Sequence, residues 1–147
     1  MIKVNTGGCE CGDVRYEFDA EPLTCYTCHC TDCQSRSGSA FVTAVAIPST
    51  ALKVTQGRTT DWYAERGVFK FCKRCGAHLW VVANIIPDFS LVRLVTLDNT
   101  QLFFPVAHIW TDSGLPWVEL GETMTRFSRQ TEDPMILLDE WEKVHCD

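Results

Sequence analysis

The sequence contains no apolar run as long as the roughly 18–20 residues that a membrane-spanning helix needs. Met1 to Thr6 lacks the basic region and apolar run of a secretory signal peptide, so we expect no export signal. Basic residues are also scarce, because 19 acidic residues outnumber 13 basic ones and leave a formal net charge of −6. This balance argues against binding to nucleic acid or to an anionic membrane surface. We therefore expect a cytoplasmic protein without nucleic-acid or membrane partners.

Helical periodicity is scarce as well, and the sequence has no internal repeat and no low-complexity segment. Short apolar or alternating stretches separated by turn residues take its place, as in Phe41 to Ile47 and Leu91 to Leu97. A chain of 147 residues fits one domain of common size. We therefore predict a single, mainly β domain over residues 1–147, with a C-terminal extension over residues 126–147 that contains a helix.

The predicted terminal helix has a recognisable start and one apolar face. Asp133 is expected to cap it, with Pro134 at the first helical position. We expect the apolar face to pack on its own domain, and a homodimer or another protein partner is the alternative. The side chains on this face are Leu137, Leu138, Trp141 and Val144.

Cysteine is abundant, with nine residues, and two close pairs lie far apart in the chain: Cys9-x-Cys11 and Cys72-x-x-Cys75. In a reducing compartment, close pairs favour a metal over a disulfide. Gly76 follows the second pair and can adopt the positive φ that such a turn needs. Two pairs together predict a closed, tetrahedral four-cysteine site of the structural zinc type. Iron accepts the same donors and is the alternative metal.

Four more cysteines lie within nine residues between the two pairs: Cys25, Cys28, Cys30 and Cys33. The spacing Cys28-x-Cys30-x-x-Cys33 lets three thiolates bind one side of an ion and leave a fourth position open, which is typical of catalytic zinc. Such a site suits an incoming thiolate, so we expect a thiol or a thiol adduct as the substrate. If Cys25 is a fourth ligand, the site is instead structural. A redox switch with a Cys25–Cys28 disulfide is a third hypothesis.

Histidines are weaker candidates than the cysteines. His29 lies between two of the cysteines, but adjacent residues rarely reach the same ion, so we expect it at the surface or outside the coordination sphere. His78 and His108 lie in strand-like segments and are more typical of a core or a sheet face than of ligands. No pattern assigns the residues that bind the rest of a substrate. The aromatic and basic side chains considered for that role are Arg36, Trp62, Arg66, Trp110 and Trp117.

Three motifs resemble those of the glutathione-dependent formaldehyde-activating enzyme family, which includes the zinc domain of the centromere protein V type. They are Gly7-x-Cys9-x-Cys11-Gly12-x-Val14-x-Tyr16, Cys28-x-Cys30-x-x-Cys33 and Phe71-Cys72-x-x-Cys75-Gly76. Three later segments are similar to the C-terminal signature of that family: Leu97-Asp98, Pro105-x-x-His108-Ile109 and Pro116-Trp117. The resemblance runs from about Gly7 to Trp117 and so covers most of the chain.

The resemblance implies a β-tent fold, in which small antiparallel sheets surround a four-cysteine zinc. It also implies two zinc ions, the first bound by Cys9, Cys11, Cys72 and Cys75 and the second by Cys28, Cys30 and Cys33. The implied activity is that of a carbon–sulfur lyase acting in reverse, which joins glutathione to formaldehyde and gives S-(hydroxymethyl)glutathione. We expect the substrate to be a glutathione adduct of formaldehyde or of another small aldehyde. A zinc module that binds glutathione or a protein partner without catalysis is the alternative.

Overall fold

The computed structural model describes residues 3–145, and the chain divides into two compact units. The first unit comprises Val45–Leu102 together with the chain up to Leu23. The second comprises Thr24–Ala44 and the chain from Phe103 onward. No helix within residues 3–145 is both long enough and apolar enough to cross a membrane.

The described residues form mainly strands, with one short helix over residues 31–37 and one at the C-terminal end, so the predicted fold class is confirmed. The helices are α1 (Thr31–Ser37) and α2 (Met135–His145), and 3₁₀ segments cover Ser49–Ala51, Leu94–Thr96 and Thr111–Ser113. The strands are β1 (Asn5–Gly8), β2 (Arg15–Phe18), β3 (Thr24–Cys28), β4 (Val42–Pro48), β5 (Leu52–Gln56), β6 (Thr59–Ala64), β7 (Gly67–Cys72), β8 (His78–Ala83), β9 (Phe89–Arg93), β10 (Ala107–Ile109) and β11 (Thr125–Arg126).

The first unit contains two antiparallel arrangements of strands. In one of them β2 lies between β1 and β5. In the other, β6, β7, β8 and β9 follow one another, and β9 lies beside the end of β4. The alternation in β2 buries Tyr16 and Phe18, each 1% exposed, and the Tyr16 ring meets Trp80 edge-on at a centroid distance of 5.6 Å. Burial of such a ring contributes about 1.5–3 kcal/mol to folding.

Asp98 joins β1 to β2 in this unit. Its carboxylate accepts hydrogen bonds from both terminal nitrogens of Arg15 and from the Thr6 hydroxyl, the last at 2.6 Å. The hydrogen bond from Arg15, followed by the one from Thr6, lowers the pKa of Asp98 below its usual value. The Asp98 backbone N–H also donates to the Thr6 carbonyl at 2.9 Å. Asp98 therefore links Thr6 of β1 to Arg15 of β2 through its hydrogen bonds.

In the second unit, β3 lies between β10 and the start of β4. The strand β10 pairs in parallel with both β3 and β11, whereas the family resemblance implied antiparallel sheets. A long connection leads into β10, so no tight hairpin dictates its direction. Leu137 of α2 belongs to the same buried cluster as Cys28 and Ile109.

The start and the packing of α2 agree with the prediction. The Asp133 carboxylate accepts a hydrogen bond from the Met135 N–H at 2.9 Å, as a capping residue does. Leu137 is 4% exposed and its carbonyl accepts a hydrogen bond from the Thr24 hydroxyl at 2.7 Å, so α2 packs on its own unit. Val144 differs from the prediction because its side chain is 66% exposed.

We predict that Gly57→Ala will strongly destabilise the protein. Gly57 has a φ of +73°, and a Cβ at this position would lie 2.1 Å from the Asp13 carbonyl oxygen. Left-handed backbone strain and overpacking together should lower the free energy of unfolding by about 3–5 kcal/mol, measured by urea denaturation. The matched control is Gly76→Ala, where φ is +78° but the space is open, with an expected loss of about 1–2 kcal/mol. Equal losses in the two variants would contradict the packing argument.

Candidate metal centres

Four cysteines of the first unit bring their sulfur atoms together: Cys9, Cys11, Cys72 and Cys75. All four sulfurs lie within 4.8 Å of one another. The Cys9–Cys11 and Cys11–Cys72 sulfur distances are 3.6 Å and 3.7 Å. A tetrahedral zinc with Zn–S bonds of about 2.3 Å separates its sulfurs by ~3.8 Å, whereas a disulfide needs about 2.05 Å. The four-cysteine cluster therefore has the spacing that a single ion requires.

Two tight turns hold these sulfurs in place. Cys72 ends β7, and the Gly76 N–H donates to the Cys72 carbonyl at 2.9 Å, with Gly76 at the positive φ that the sequence predicted. In the other turn the Val14 N–H donates to the Cys9 sulfur at 3.2 Å. Hydrogen bonds from the backbone of Cys11 and Ala77 lower the pKa of Cys75 to about 6. The backbone thus favours the thiolate form of Cys75 before any cation binds. At Cys11 a hydrogen bond from the Asp13 backbone is outweighed by burial and by the neighbouring cysteines, which raise its pKa to about 12.

Basic side chains lie next to the four-cysteine cluster. Arg58, Lys73 and Arg74 line a cavity of about 500 Å³ together with Cys72. Arg74 also pairs with Asp13 at 3.1 Å. Four thiolates and one divalent cation leave excess negative charge, which these cations help to offset. We find no need to assign a separate ligand to this cavity.

Three cysteines of the second unit form another cluster: Cys28, Cys30 and Cys33. Cys28 ends β3, Cys30 precedes α1, and Cys33 lies in the first turn of that helix. The Cys30 sulfur caps the helix by accepting a hydrogen bond from the Cys33 N–H at 3.3 Å. Their three sulfurs lie within 4.8 Å of one another. The strand, the turn and the helix therefore direct three sulfur atoms to one point.

The three-cysteine cluster is unfavourable for charged thiolates unless a cation is present. Hydrogen bonds with the Cys30 and Cys33 side chains, followed by burial, raise the pKa of Cys28 well above its usual value. Cys28 and Cys30 are each only 8% exposed, so water screens their charges weakly. A divalent cation reverses this preference and deprotonates coordinating thiols. The donor set thus fits a thiophilic ion.

Cys25 does not join the three-cysteine cluster. Among residues 3–145, the ligand atoms that converge there are those of Cys28, Cys30 and Cys33. Side chains alternate along a strand, so Cys25 and Cys28, which are three residues apart in β3, point to opposite faces. Cys25 is fully buried, and burial raises the pKa of its thiol to about 12. Three residues of strand also separate the two Cα atoms by about 10 Å, beyond the range of a disulfide.

The prediction for His29 needs a correction. It was expected at the surface or just outside the coordination sphere, and the surface placement is wrong because its side chain is 1% exposed. Its Nε2 lies 2.9 Å from Nδ1 of His108. His108 is opposite Thr27 in the parallel pairing of β10 with β3, so the histidine pair lies on the sheet face away from Cys28. Burial lowers the pKa of both histidines. His108 is therefore a sheet-face histidine, as predicted.

The backbone of His29 positions the loop between Cys28 and Cys30. Its N–H donates to the Ile109 carbonyl at 3.0 Å. Its carbonyl accepts hydrogen bonds from the Gln34 amide at 2.8 Å and from the Ser113 hydroxyl at 3.0 Å. These contacts fix the residue between two cysteines of the cluster, so His29 supports the site through its backbone.

Trp110 was considered as a substrate contact, but the sequence did not reveal its unusual backbone conformation. It has a φ of +59°, which is rare for a bulky residue, and it begins the 3₁₀ segment Thr111–Ser113. Its side chain packs against the buried cluster that contains Cys28 and Cys30. The Ser113 hydroxyl and backbone N–H both donate to the Trp110 carbonyl, at 3.1 Å and 3.2 Å, and hold the turn. Such strain often marks functional sites.

Comparison with known proteins agrees with these observations. The chain is similar to a Rhodobacter sphaeroides protein whose crystal structure was solved in a structural genomics programme, with a TM-score of 0.55 and 24% sequence identity. The similarity covers 64% of this chain and 88% of that chain, and it shows a shared fold. Residues 4–113 match the model of the family described as glutathione-dependent formaldehyde-activating enzyme. Because this match covers more than half of the chain, the protein belongs to the glutathione-dependent formaldehyde-activating enzyme family.

Proposed function

We propose that the protein is a zinc-dependent carbon–sulfur lyase that acts on a glutathione adduct of formaldehyde or of another small aldehyde. The observation that carries this proposal is the convergence of three cysteine sulfurs, with Cys25 outside the group. Family membership supports a role that involves glutathione and formaldehyde. The protein would hold two zinc ions, one in each cysteine cluster.

The two clusters differ in what their donors offer. Four sulfurs around one ion complete a tetrahedron, so the first cluster would be structural. Cys28, Cys30 and Cys33 supply three donors and leave one position for a thiol. A zinc ion bound there supplies a position that stabilises the substrate sulfur as a thiolate. These roles explain why the chain has two cysteine clusters of different size.

The proposed reaction balances without a further co-reactant. In the direction of synthesis, the glutathione sulfur forms a bond to the carbonyl carbon of the aldehyde. The π electron pair of the carbonyl moves to its oxygen, which takes up the proton released from the thiol. In the reverse direction the hydroxyl group loses its proton, the carbonyl re-forms, and the electron pair of the broken carbon–sulfur bond returns to sulfur, which takes up the proton. The three cysteines would align the thiol with the aldehyde by fixing where its sulfur lies.

The alternatives are less well supported. A closed, non-catalytic zinc module needs a fourth protein ligand, but Cys25 lies outside the cluster and on the other face of β3. A partner for the terminal helix is not required either, because Leu137 of α2 is buried in its own unit. A cytoplasmic location remains our proposal. None of the eight cysteines within residues 3–145 is in a disulfide, which suits a reducing compartment.

Metal content provides the first test. We predict two zinc ions per wild-type chain and one in Cys33→Ser, because the variant loses a donor of the smaller cluster. The control is Cys25→Ala, which should keep both ions because Cys25 lies outside the two clusters. Zinc is measured by mass spectrometry of the purified proteins. Loss of an ion from Cys25→Ala, or two ions in Cys33→Ser, would contradict the assignment.

Activity provides the second test. Carbon–sulfur exchange on S-(hydroxymethyl)glutathione should be about 100-fold or more slower with Cys33→Ser, because the developing thiolate loses its stabilisation. Exchange is followed by NMR, and the uncatalysed rate is subtracted. Cys25→Ala should stay within about threefold of wild type, since removal of an inert buried thiol mainly affects stability. Equal rates in wild type and Cys33→Ser would refute the proposed function.

A further inference from the structure

Arg36 lies beside the three-cysteine cluster because of its position in α1. Residues three apart on a helix share a face, and Cys33 and Arg36 have this spacing. The Arg36 Nη1 is 3.9 Å from the Cys33 sulfur. Arg36 is half-buried, so its guanidinium is held at the edge of the cluster. The same helical turn therefore carries one sulfur donor and one permanent positive charge.

The contacts recorded for the other arginine and lysine side chains of the second unit lie outside the three-cysteine cluster. Arg126 donates to the carbonyls of Leu120 and Gly121, at 3.0 Å and 3.1 Å. Arg129 lies 3.8 Å from Asp112, and Lys143 pairs with a glutamate of α2. Arg36 is thus the arginine of this unit whose contact with a cluster sulfur is established.

The charge of the cluster indicates what Arg36 does. Three thiolates and a divalent cation have a net formal charge of minus one, and an incoming thiolate adds another negative charge. A thiol that also carries carboxylates, as glutathione does, is repelled further unless a cation lies at the site. Arginine is always protonated, and its planar array of N–H donors matches a carboxylate in a bidentate manner.

We infer that Arg36 binds a carboxylate of the thiol substrate and so makes the site selective for thiols that carry a carboxylate. This inference rests on the proposed function, because it assigns a substrate class to the same site. Arg36 is a binding residue in this scheme, and Cys28, Cys30 and Cys33 hold the substrate sulfur through the ion. A neutral thiol has no group for Arg36 to recognise.

The test compares two thiols by isothermal titration calorimetry on the zinc-loaded protein. Glutathione carries carboxylates, whereas 2-mercaptoethanol does not. Arg36→Gln should weaken glutathione binding about 10- to 100-fold, the range expected for a lost charge-assisted hydrogen bond. Binding of 2-mercaptoethanol should change by less than about threefold. Arg36→Lys should restore part of the affinity, because it keeps the charge but loses the planar fork.

Arg129→Gln is the matched control, since it removes a positive charge from the same unit at a side chain that is 75% exposed. It should bind both thiols like the wild type, and the zinc content of every variant is measured alongside. An equal loss of both thiols in Arg36→Gln would overturn the inference, because Arg36 would then act on the cluster as a whole. Unchanged glutathione binding would also overturn it, as would a wild-type protein that binds neither thiol.

The outcomes separate this inference from the proposed lyase activity. Wild-type protein that binds glutathione through Arg36 but does not exchange its carbon–sulfur bond would refute the lyase and support the role of Arg36. Wild-type protein that catalyses the exchange while Arg36→Gln binds glutathione normally would refute only the role of Arg36.

Discussion

The structure depends on the electrostatic cost of bringing several thiolate sulfur atoms close together. In each cluster the cysteine sulfurs lie within 4.8 Å of one another, a spacing at which several thiolates repel strongly unless a cation lies among them. The raised pKa of Cys28 expresses this cost. A divalent ion would turn the repulsion into coordination, and its binding would then stabilise the fold. The turn after β1, the turn after β7 and the start of α1 all serve to direct sulfurs to such points.

The alternation of side chains along β3 places Cys25 and Cys28 on opposite faces of the strand. Cys28 points to the face where Leu137 and Ile109 pack, and its sulfur joins those of Cys30 and Cys33. Cys25 points to the opposite face, where burial raises its pKa to about 12 and keeps it a neutral thiol. One short strand thus separates a candidate metal ligand from a buried cysteine three residues away. The three-donor character of the cluster follows from this separation.

Much of the fold and the two cysteine clusters could be predicted from the sequence, because they depend on local spacing. Cysteine spacing identified the two clusters, and alternation identified β2 with its buried Tyr16 and Phe18. Alternation also places Cys25 and Cys28 on opposite faces of a strand. That inference requires β3 to extend as far as Cys28, which the sequence alone did not establish. The contact between His29 and His108, which are 79 residues apart in the sequence, could not be predicted, since it depends on parallel pairing between two distant strands.

The most direct test of this account is zinc K-edge X-ray absorption of the loaded protein, before and after addition of glutathione. Four-sulfur and three-sulfur sites together give an average of about 3.5 sulfur neighbours per zinc at ~2.3 Å, and a bound thiolate raises that average to about four. We predict this increase. Four sulfur neighbours per zinc without glutathione, unchanged after its addition, would show that the smaller cluster is closed and would contradict the account.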